Sequence, residues 1–103
     1  MTGGTISPEY LAAMRQALRI SAEDFDDELR ALIAAARSDL ALCGVLPERA
    51  ADESDPLIRQ AVTVYLRAEF GFGNDDADKY RAAYNRLKIA LALASDYIIG
   101  EAQ

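Results

Sequence analysis

The sequence predicts an all-α protein: a single small domain of four helices, with a short loop between the second and the third. Apolar residues recur at spacings of three and four, capping residues and prolines precede these apolar runs, and glycines follow them. A length of 103 residues is typical of one domain. We expect residues 1–103 to form this domain, with 1–6 and 101–103 flexible.

Each of the first two helices is expected to begin at a serine. Ser7 precedes a proline and a glutamate, an order typical of a helix N-terminus, and the helix continues through Leu18. Ser21 begins the run Ser-Ala-Glu-Asp, which resembles a capping box. The second helix has one apolar stripe and ends before Gly44, a residue type common after helix ends. The stripe consists of Phe25, Leu29, Leu32, Ile33, Ala36, Leu40 and Cys43. Cys43 is therefore expected to be a small core residue.

The segment Val45–Ser54 is predicted to be a loop, because Pro47 discourages continuation of the second helix. Asp55 then caps the third helix, with Pro56 at its first position. This helix is apolar around most of its circumference, a pattern typical of a buried central helix. Replacing Asp55 by alanine should lower stability, whereas replacing Glu53, as a loop residue, should have little effect.

The fourth helix is predicted to run from an aspartate cap to a glycine stop at Gly100. Asp75 is the capping candidate, with Asp76 as the alternative. One face of this helix is apolar and should contact the core. It carries Tyr80, Ala83, Tyr84, Leu87, Leu91, Ala94 and Ile98.

Apolar residues also occur on the opposite side of the fourth helix. At ~100° per residue, Ile89 and Leu93 lie there, with Ala82 beside them. Four short helices can bury two layers within one monomer, in which case both aliphatic residues are core. Alternatively, they contact a neighbouring subunit or partner. The sequence leaves both readings open, and Ala82, Ile89 and Leu93 are the candidate interface residues.

The composition argues against several classes of protein. A net charge of −6, from 11 basic and 17 acidic residues, leaves little for the basic patch that nucleic-acid binders use. Histidine, the commonest general base and metal ligand, does not occur, and one cysteine allows no internal disulfide. We find neither a signal peptide nor an apolar run of the ~20 residues that span a bilayer, so a cytoplasmic protein without membrane contact is expected.

Two acidic clusters are the candidates for chemistry. The first contains Asp24, Asp26, Asp27 and Glu28, and the second contains Asp52, Glu53 and Asp55. Paired carboxylates can perform acid–base hydrolysis or hold a cation. Both clusters precede helices, where acids stabilise the helix dipole, and their spacing does not match a calcium loop. We expect no catalytic, cofactor-binding or metal-binding residue. An enzyme that uses a pair of carboxylates is the alternative, and a structure in which both clusters are fully solvated would exclude it.

Scattered residues in both halves of the chain form a recognisable pattern. The first half contains Leu18-Arg-Ile-Ser21, Asp26-Asp-Glu-Leu29 and Leu32-Ile-Ala-Ala-Ala36. The second half contains Asp55-Pro-Leu-Ile, Ala61-Val, Tyr65, Phe70-Gly, Lys79-Tyr, Tyr84-Asn-Arg-Leu-Lys88 and Leu91-Ala-Leu-Ala-Ser-Asp-Tyr97. From Leu18 to Tyr97 the chain resembles the head–tail connector (head-completion adaptor) proteins of tailed bacteriophages. It departs from the larger members in the short segment between its second and third helices.

This resemblance implies a structural, non-enzymatic role. Family members are expected to assemble as a ring under the portal, to extend the DNA channel and to dock the tail or the next connector protein. The implied partners are other copies of the chain, the portal protein, and a tail or second connector protein, with no membrane. DNA is expected to pass nearby without specific binding. The implied location is the head–tail interface of the virion, after assembly in the host cytoplasm.

A small helical DNA-packaging or regulatory protein that binds nucleic acid is the alternative. Such a protein needs a basic recognition helix. The most basic stretch contains Lys79, Arg81, Arg86 and Lys88, and it shares its helix with large apolar residues. Titration against duplex DNA at low salt separates the two interpretations.

Overall fold

All regular structure in the computed structural model, which describes residues 5–70 and 75–98, is helical. Within these ranges the chain forms α1 (Pro8–Ala17), α2 (Asp26–Leu42), α3 (Pro47–Ala50), α4 (Pro56–Glu69), α5 (Ala77–Leu93) and α6 (Ser95–Ile98). The helices α1, α2, α4 and α5 correspond to the four predicted ones, and α3 and α6 are short additions. The all-α prediction is confirmed.

The helix α4 lies at the centre of the fold. It packs against both α2 and α5, while α1 and α3 pack on α2 and α6 packs on α5. The side chains of Ile58, Ala61, Val62 and Leu66 on α4 are almost completely buried, as its apolar circumference predicts. Burial of each large aliphatic side chain contributes about 1.5–3 kcal/mol. This core fixes the orientation of α5, which carries the surface described below.

The helix α1 begins as its sequence predicts. The Ser7 Oγ accepts a hydrogen bond from Tyr10 N at 3.0 Å, and Pro8 follows in the first turn, where no N–H is needed. At the other end, Arg15 Nε donates to Asp26 Oδ1 at 2.9 Å. Because both side chains are mostly buried, this ion pair fixes the end of α1 against the start of α2.

The predicted capping box at Ser21 is wrong. The helix α2 begins at Asp26, and the N-cap position is occupied by Phe25, which has no side-chain acceptor. The acidic first turn, Asp26–Glu28, faces the positive end of the helix dipole and stabilises it without a cap. At its C-terminus α2 ends as predicted, because Gly44 adopts a left-handed φ of 109°.

The apolar stripe of α2 is buried in its middle and exposed at its two ends. Leu29 and Leu40 are fully buried, but Phe25 is 45% exposed. Cys43 is also exposed, so its predicted core position is wrong. The reason is that α2 ends at Leu42 and the chain turns at Gly44, after which Val45 fills the buried position.

The predicted loop Val45–Ser54 contains a helical turn. Pro47 begins α3, since proline suits the first turn of a helix as well as a chain break. Ala50 in this turn is buried. Leu46 N donates to Tyr97 O at 2.7 Å, which connects α3 to α6 at one end of the molecule.

Asp55 caps α4 and also contacts α6. Its Oδ1 accepts from Leu57 N at 2.9 Å and from Ile58 N at 3.2 Å. Its Oδ2 accepts from the Tyr97 hydroxyl at 2.7 Å. The carboxylate therefore satisfies two first-turn N–H groups of the central helix and positions the end of the chain.

Replacing Asp55 by alanine is expected to lower the free energy of unfolding by about 0.5–2 kcal/mol, because the two N–H groups lose their acceptor. Urea unfolding measures the loss. The variant Tyr97→Phe removes only the contact with α6, so its loss should be smaller than that of Asp55→Ala. Equal unfolding curves for Asp55→Ala and the parent would show that the cap does not stabilise α4.

The predicted fourth helix differs from α5 at both ends. The N-cap position of α5 is the alternative, Asp76, so the first candidate, Asp75, is one residue early, and the Asp76 side chain makes no capping hydrogen bond. The helix ends at Leu93, and Ala94 is extended before α6 begins. The backbone and hydroxyl contacts of Tyr97 with Leu46 and Asp55 hold α6 apart from the α5 axis. The predicted stop at Gly100 and the predicted flexible residues 1–4 and 101–103 lie outside the described residues.

Candidate protein-contact surface

An exposed apolar strip follows the side of α5 opposite the core. Ile89 is 58% exposed and Leu93 is 77% exposed, and Ala82 is exposed on the same side. Tyr84 and Leu91, on the opposite side, are buried against the rest of the molecule. Ile89 and Leu93 are therefore outside the core. Of the two interpretations that the sequence leaves open, their exposure agrees with a contact to a neighbouring subunit or partner.

Basic residues lie on the same strip. Lys79, Ala82, Arg86, Ile89 and Leu93 follow one another at spacings of three and four, and all five are exposed. We call these five residues the α5 contact face. The single acidic residue of α5, Asp78, lies at the edge of this face and accepts from Arg81 Nη1 at 3.1 Å. The α5 contact face is thus apolar and positively charged in an acidic chain.

An apolar cleft adjoins this face. It has a volume of about 240 Å³ and lies between the start of α4, the end of α5 and α6. Its walls are formed by Leu57, Leu87, Ala90, Leu91, Ala94, Asp96 and Tyr97. Ala90 and Ala94 are exposed between the cleft and Leu93, so the strip and the cleft form one continuous apolar surface. Contiguous exposed apolar surface is typical of sites that contact other proteins.

The opposite side of α5 is fixed by a polar cluster with α2 and α4. The Tyr84 hydroxyl donates to Asp39 Oδ2 at 2.6 Å, and Lys88 Nζ donates to the same atom at 3.1 Å. The rings of Tyr84 and Tyr65 meet edge to face, with centroids 5.1 Å apart. Burial raises the pKa of the Tyr84 hydroxyl, and the hydrogen bond to Asp39 raises it further. These contacts hold α5 in place while its contact face stays exposed.

The first acidic cluster is largely solvated. Asp24, Asp27 and Glu28 are exposed, and Asp26 pairs with Arg15. No group of three or more potential metal ligands occurs among the described residues. The arrangement agrees with a role in helix stabilisation and solubility.

In the second acidic cluster, Glu53 has a role that the sequence prediction missed. Its carboxylate accepts from Ser7 N at 2.9 Å, from Ser7 Oγ at 2.6 Å and from Arg37 Nη2 at 3.4 Å. Glu53 is 26% exposed and Arg37 is 3% exposed, so the ion pair is mostly buried. Glu53 lies in the predicted loop, but these contacts favour a larger loss of stability on its replacement than the sequence predicts. Arg37 lies four residues after Ile33 on the buried side of α2, and this position is the signal that a carboxylate partner was needed.

Comparison with protein families gives one finding. A family model described as phage connector protein matches residues 10–98, a range that includes the whole of α5 and the cleft beside it. Comparison with curated proteins and with solved structures finds no match. None of the helices in residues 5–70 and 75–98 is long and apolar enough to cross a membrane.

Proposed function

Since this chain belongs to the phage connector protein family, we propose that it is a head–tail connector that forms a ring under the portal. The ring extends the DNA channel and docks the tail or the next connector protein. This is a structural family, and its members interact with other phage head and tail proteins. The proposed location is the head–tail interface of the virion, reached after assembly in the host cytoplasm.

The observation that carries the proposal is the exposed α5 contact face. Burying Ile89 and Leu93 in an interface contributes about 1.5–3 kcal/mol for each side chain. Association also loses translational and rotational freedom, a loss of similar or larger size. A contact of this strength is sufficient for copies that a portal holds at high local concentration. Attachment at neighbouring sites reduces the translational and rotational freedom that remains to be lost when two copies meet.

Charge supports a channel through which DNA passes without being bound. The chain has a net charge of −6, which disfavours close contact with phosphates. Two of the four cations in its most basic stretch form ion pairs within the chain. Arg81 pairs with Glu69 and Asp78, and Lys88 pairs with Asp39. Because Arg81 and Lys88 are paired, only a small positively charged surface remains for the nucleic-acid binding that the alternative function requires.

Incubation of the purified chain with DNA-filled, tailless capsids of its phage tests the proposal. We expect the chain to remain bound to portal-bearing capsids through a sizing column and to allow tails to attach. Capsids that lack the portal are the control and should not retain it. A chain that binds duplex DNA at low salt but is not retained by portal-bearing capsids would support the nucleic-acid alternative instead.

A further inference from the structure

A second surface of the same chain has the opposite charge and also exposes an apolar side chain. We call residues Glu23–Glu28 the acidic Phe25 segment. The Phe25 ring is 45% exposed and packs edge to face on Phe70, with centroids 5.6 Å apart. Asp24 and Asp27 beside it are exposed, as are the two glutamates that bound the segment. An exposed aromatic ring within a group of carboxylates is thus available for contact.

This segment complements the α5 contact face in both charge and polarity. The face presents Lys79 and Arg86 together with the aliphatic Ile89 and Leu93. Opposite charges across an interface fix its register and disfavour wrong partners. Aromatic side chains and arginine are the residues most enriched at the centres of protein interfaces.

The apolar end of the α5 contact face and the acidic Phe25 segment lie toward opposite ends of the molecule. Phe25 contacts Phe70, which follows α4 and precedes α5, whereas Leu46 beyond α2 bonds to Tyr97 beyond α5. The helices α2 and α5 therefore run in the same general direction, and Leu93 lies at the far end from Phe25. The longest dimension of the chain is 45 Å. Phe25 of one copy therefore does not reach its own Leu93.

We propose that the α5 contact face of one copy packs against the acidic Phe25 segment of the next copy. Phe25 contacts the apolar strip formed by Ile89 and Leu93, while the surrounding carboxylates face Lys79 and Arg86. The contact is heterologous, and repetition of such a contact closes a ring when the rotation between copies allows it. The inference rests on the proposed function, because it identifies the surfaces through which the connector copies meet.

Charge exchange between two variants tests the contact. The face-reversed variant carries Lys79→Glu and Arg86→Glu, and the segment-reversed variant carries Glu23→Lys and Asp24→Lys. Both segment substitutions precede α2 and spare its first turn. Arg81→Glu is the control, since it reverses a charge on α5 outside the contact face. Circular dichroism of each variant verifies that it is folded, and sedimentation equilibrium up to about 1 mM measures self-association.

We expect either reversed variant alone to self-associate at least about tenfold more weakly than the parent, because like charges then meet across the contact. A 1:1 mixture of the two variants should restore association, since each then offers the other an opposite charge. The Arg81→Glu control should match the parent. Added salt should weaken association of both the parent and the mixture.

Three outcomes would overturn the inference. They are a parent that does not self-associate by about 1 mM, reversed variants that associate like the parent, and a mixture that stays as weak as its components. Loss of duplex-DNA binding in the face-reversed variant, with unchanged self-association, would instead assign the face to nucleic acid. The capsid-retention experiment is independent of these results. Retention of the parent with no effect of charge exchange removes this inference alone, whereas failure of the parent to be retained removes the proposed function.

Discussion

The double variant Ile89→Asp with Leu93→Asp is expected to remain folded and to lose its retention by portal-bearing capsids. Both side chains are exposed, so carboxylates at these positions stay solvated and the core is unchanged. In the assembled state the same carboxylates are buried against a partner, which is strongly unfavourable without a compensating charge. We expect a loss of at least about a hundredfold in capsid joining, equivalent to roughly 3 kcal/mol. Sizing of the capsid mixture and counting of attached tails measure the effect.

Leu42→Asp is the matched control for this variant. Leu42 is 85% exposed on α2, so its substitution also removes an exposed aliphatic side chain, but away from the α5 contact face. The control should join capsids like the parent. A folded double variant that still joins capsids and supports tail attachment would show that the α5 contact face is not the interface. A double variant that does not fold would contradict the solvated positions of Ile89 and Leu93 on which the α5 contact face rests.

Replacing Glu53 by alanine is expected to lower the free energy of unfolding by about 3 kcal/mol. This value is at the lower end for removal of one partner of a buried ion pair, because Glu53 keeps some exposure. The substitution leaves the buried Arg37 without its carboxylate and removes both acceptors of Ser7. Glu48→Ala, an exposed acid on α3, is the control and should change stability by less than about 0.5 kcal/mol. Urea unfolding at neutral pH measures both.

The contribution of Glu53 should also depend on pH. Burial alone raises the pKa of its carboxyl group, but the hydrogen bonds from Ser7 and the charge of Arg37 together outweigh burial and lower it. A lowered pKa in the folded chain means that the stabilisation is present above the unfolded pKa, near 4.5, and is lost as the pH falls through the folded value. The difference between the parent and Glu53→Gln should therefore shrink below about pH 4. A difference that is constant from neutral to acid pH would show that the charge of Glu53 does not stabilise the fold.

The order and type of the long helices could be predicted because they depend on local patterns. The proline and cap at each of Ser7 and Asp55 locate the starts of α1 and α4. The apolar residues around most of the circumference of α4 also predict its central position. In both cases the information lies within a few residues of the feature that it specifies.

Features that depend on distant contacts could not be predicted in this way. Ser21 has the residue type of a cap, but the pairing of Asp26 with Arg15 and the turn at Phe25 place the start of α2 later. The break at Ala94 follows from contacts that Tyr97 makes with residues about 40 to 50 positions earlier. Glu53 likewise bonds to residues 16 and 46 positions away.

The candidate contact surface is a mixed case. Helical periodicity placed Ala82, Ile89 and Leu93 on one side of the fourth helix, but it could not decide between a second core layer and an exposed face. That decision needs the number of helices that pack around α5, which no local pattern contains. The positive charge of the same face follows from the helical spacing of Lys79 and Arg86. The complementarity between this face and the acidic Phe25 segment becomes visible only when both are placed in the fold.

The central claim is that the chain is a connector that binds the portal in many copies, and a mass measurement tests it most directly. The purified chain, the purified portal of its phage and a mixture of the two are analysed by native mass spectrometry. We expect the mixture to contain one species whose mass equals the portal plus an integral and fixed number of copies of the 11.2 kDa chain. The Ile89→Asp, Leu93→Asp variant should leave the portal mass unchanged. A parent chain that also leaves the portal mass unchanged, at concentrations where both proteins are intact, would contradict the account.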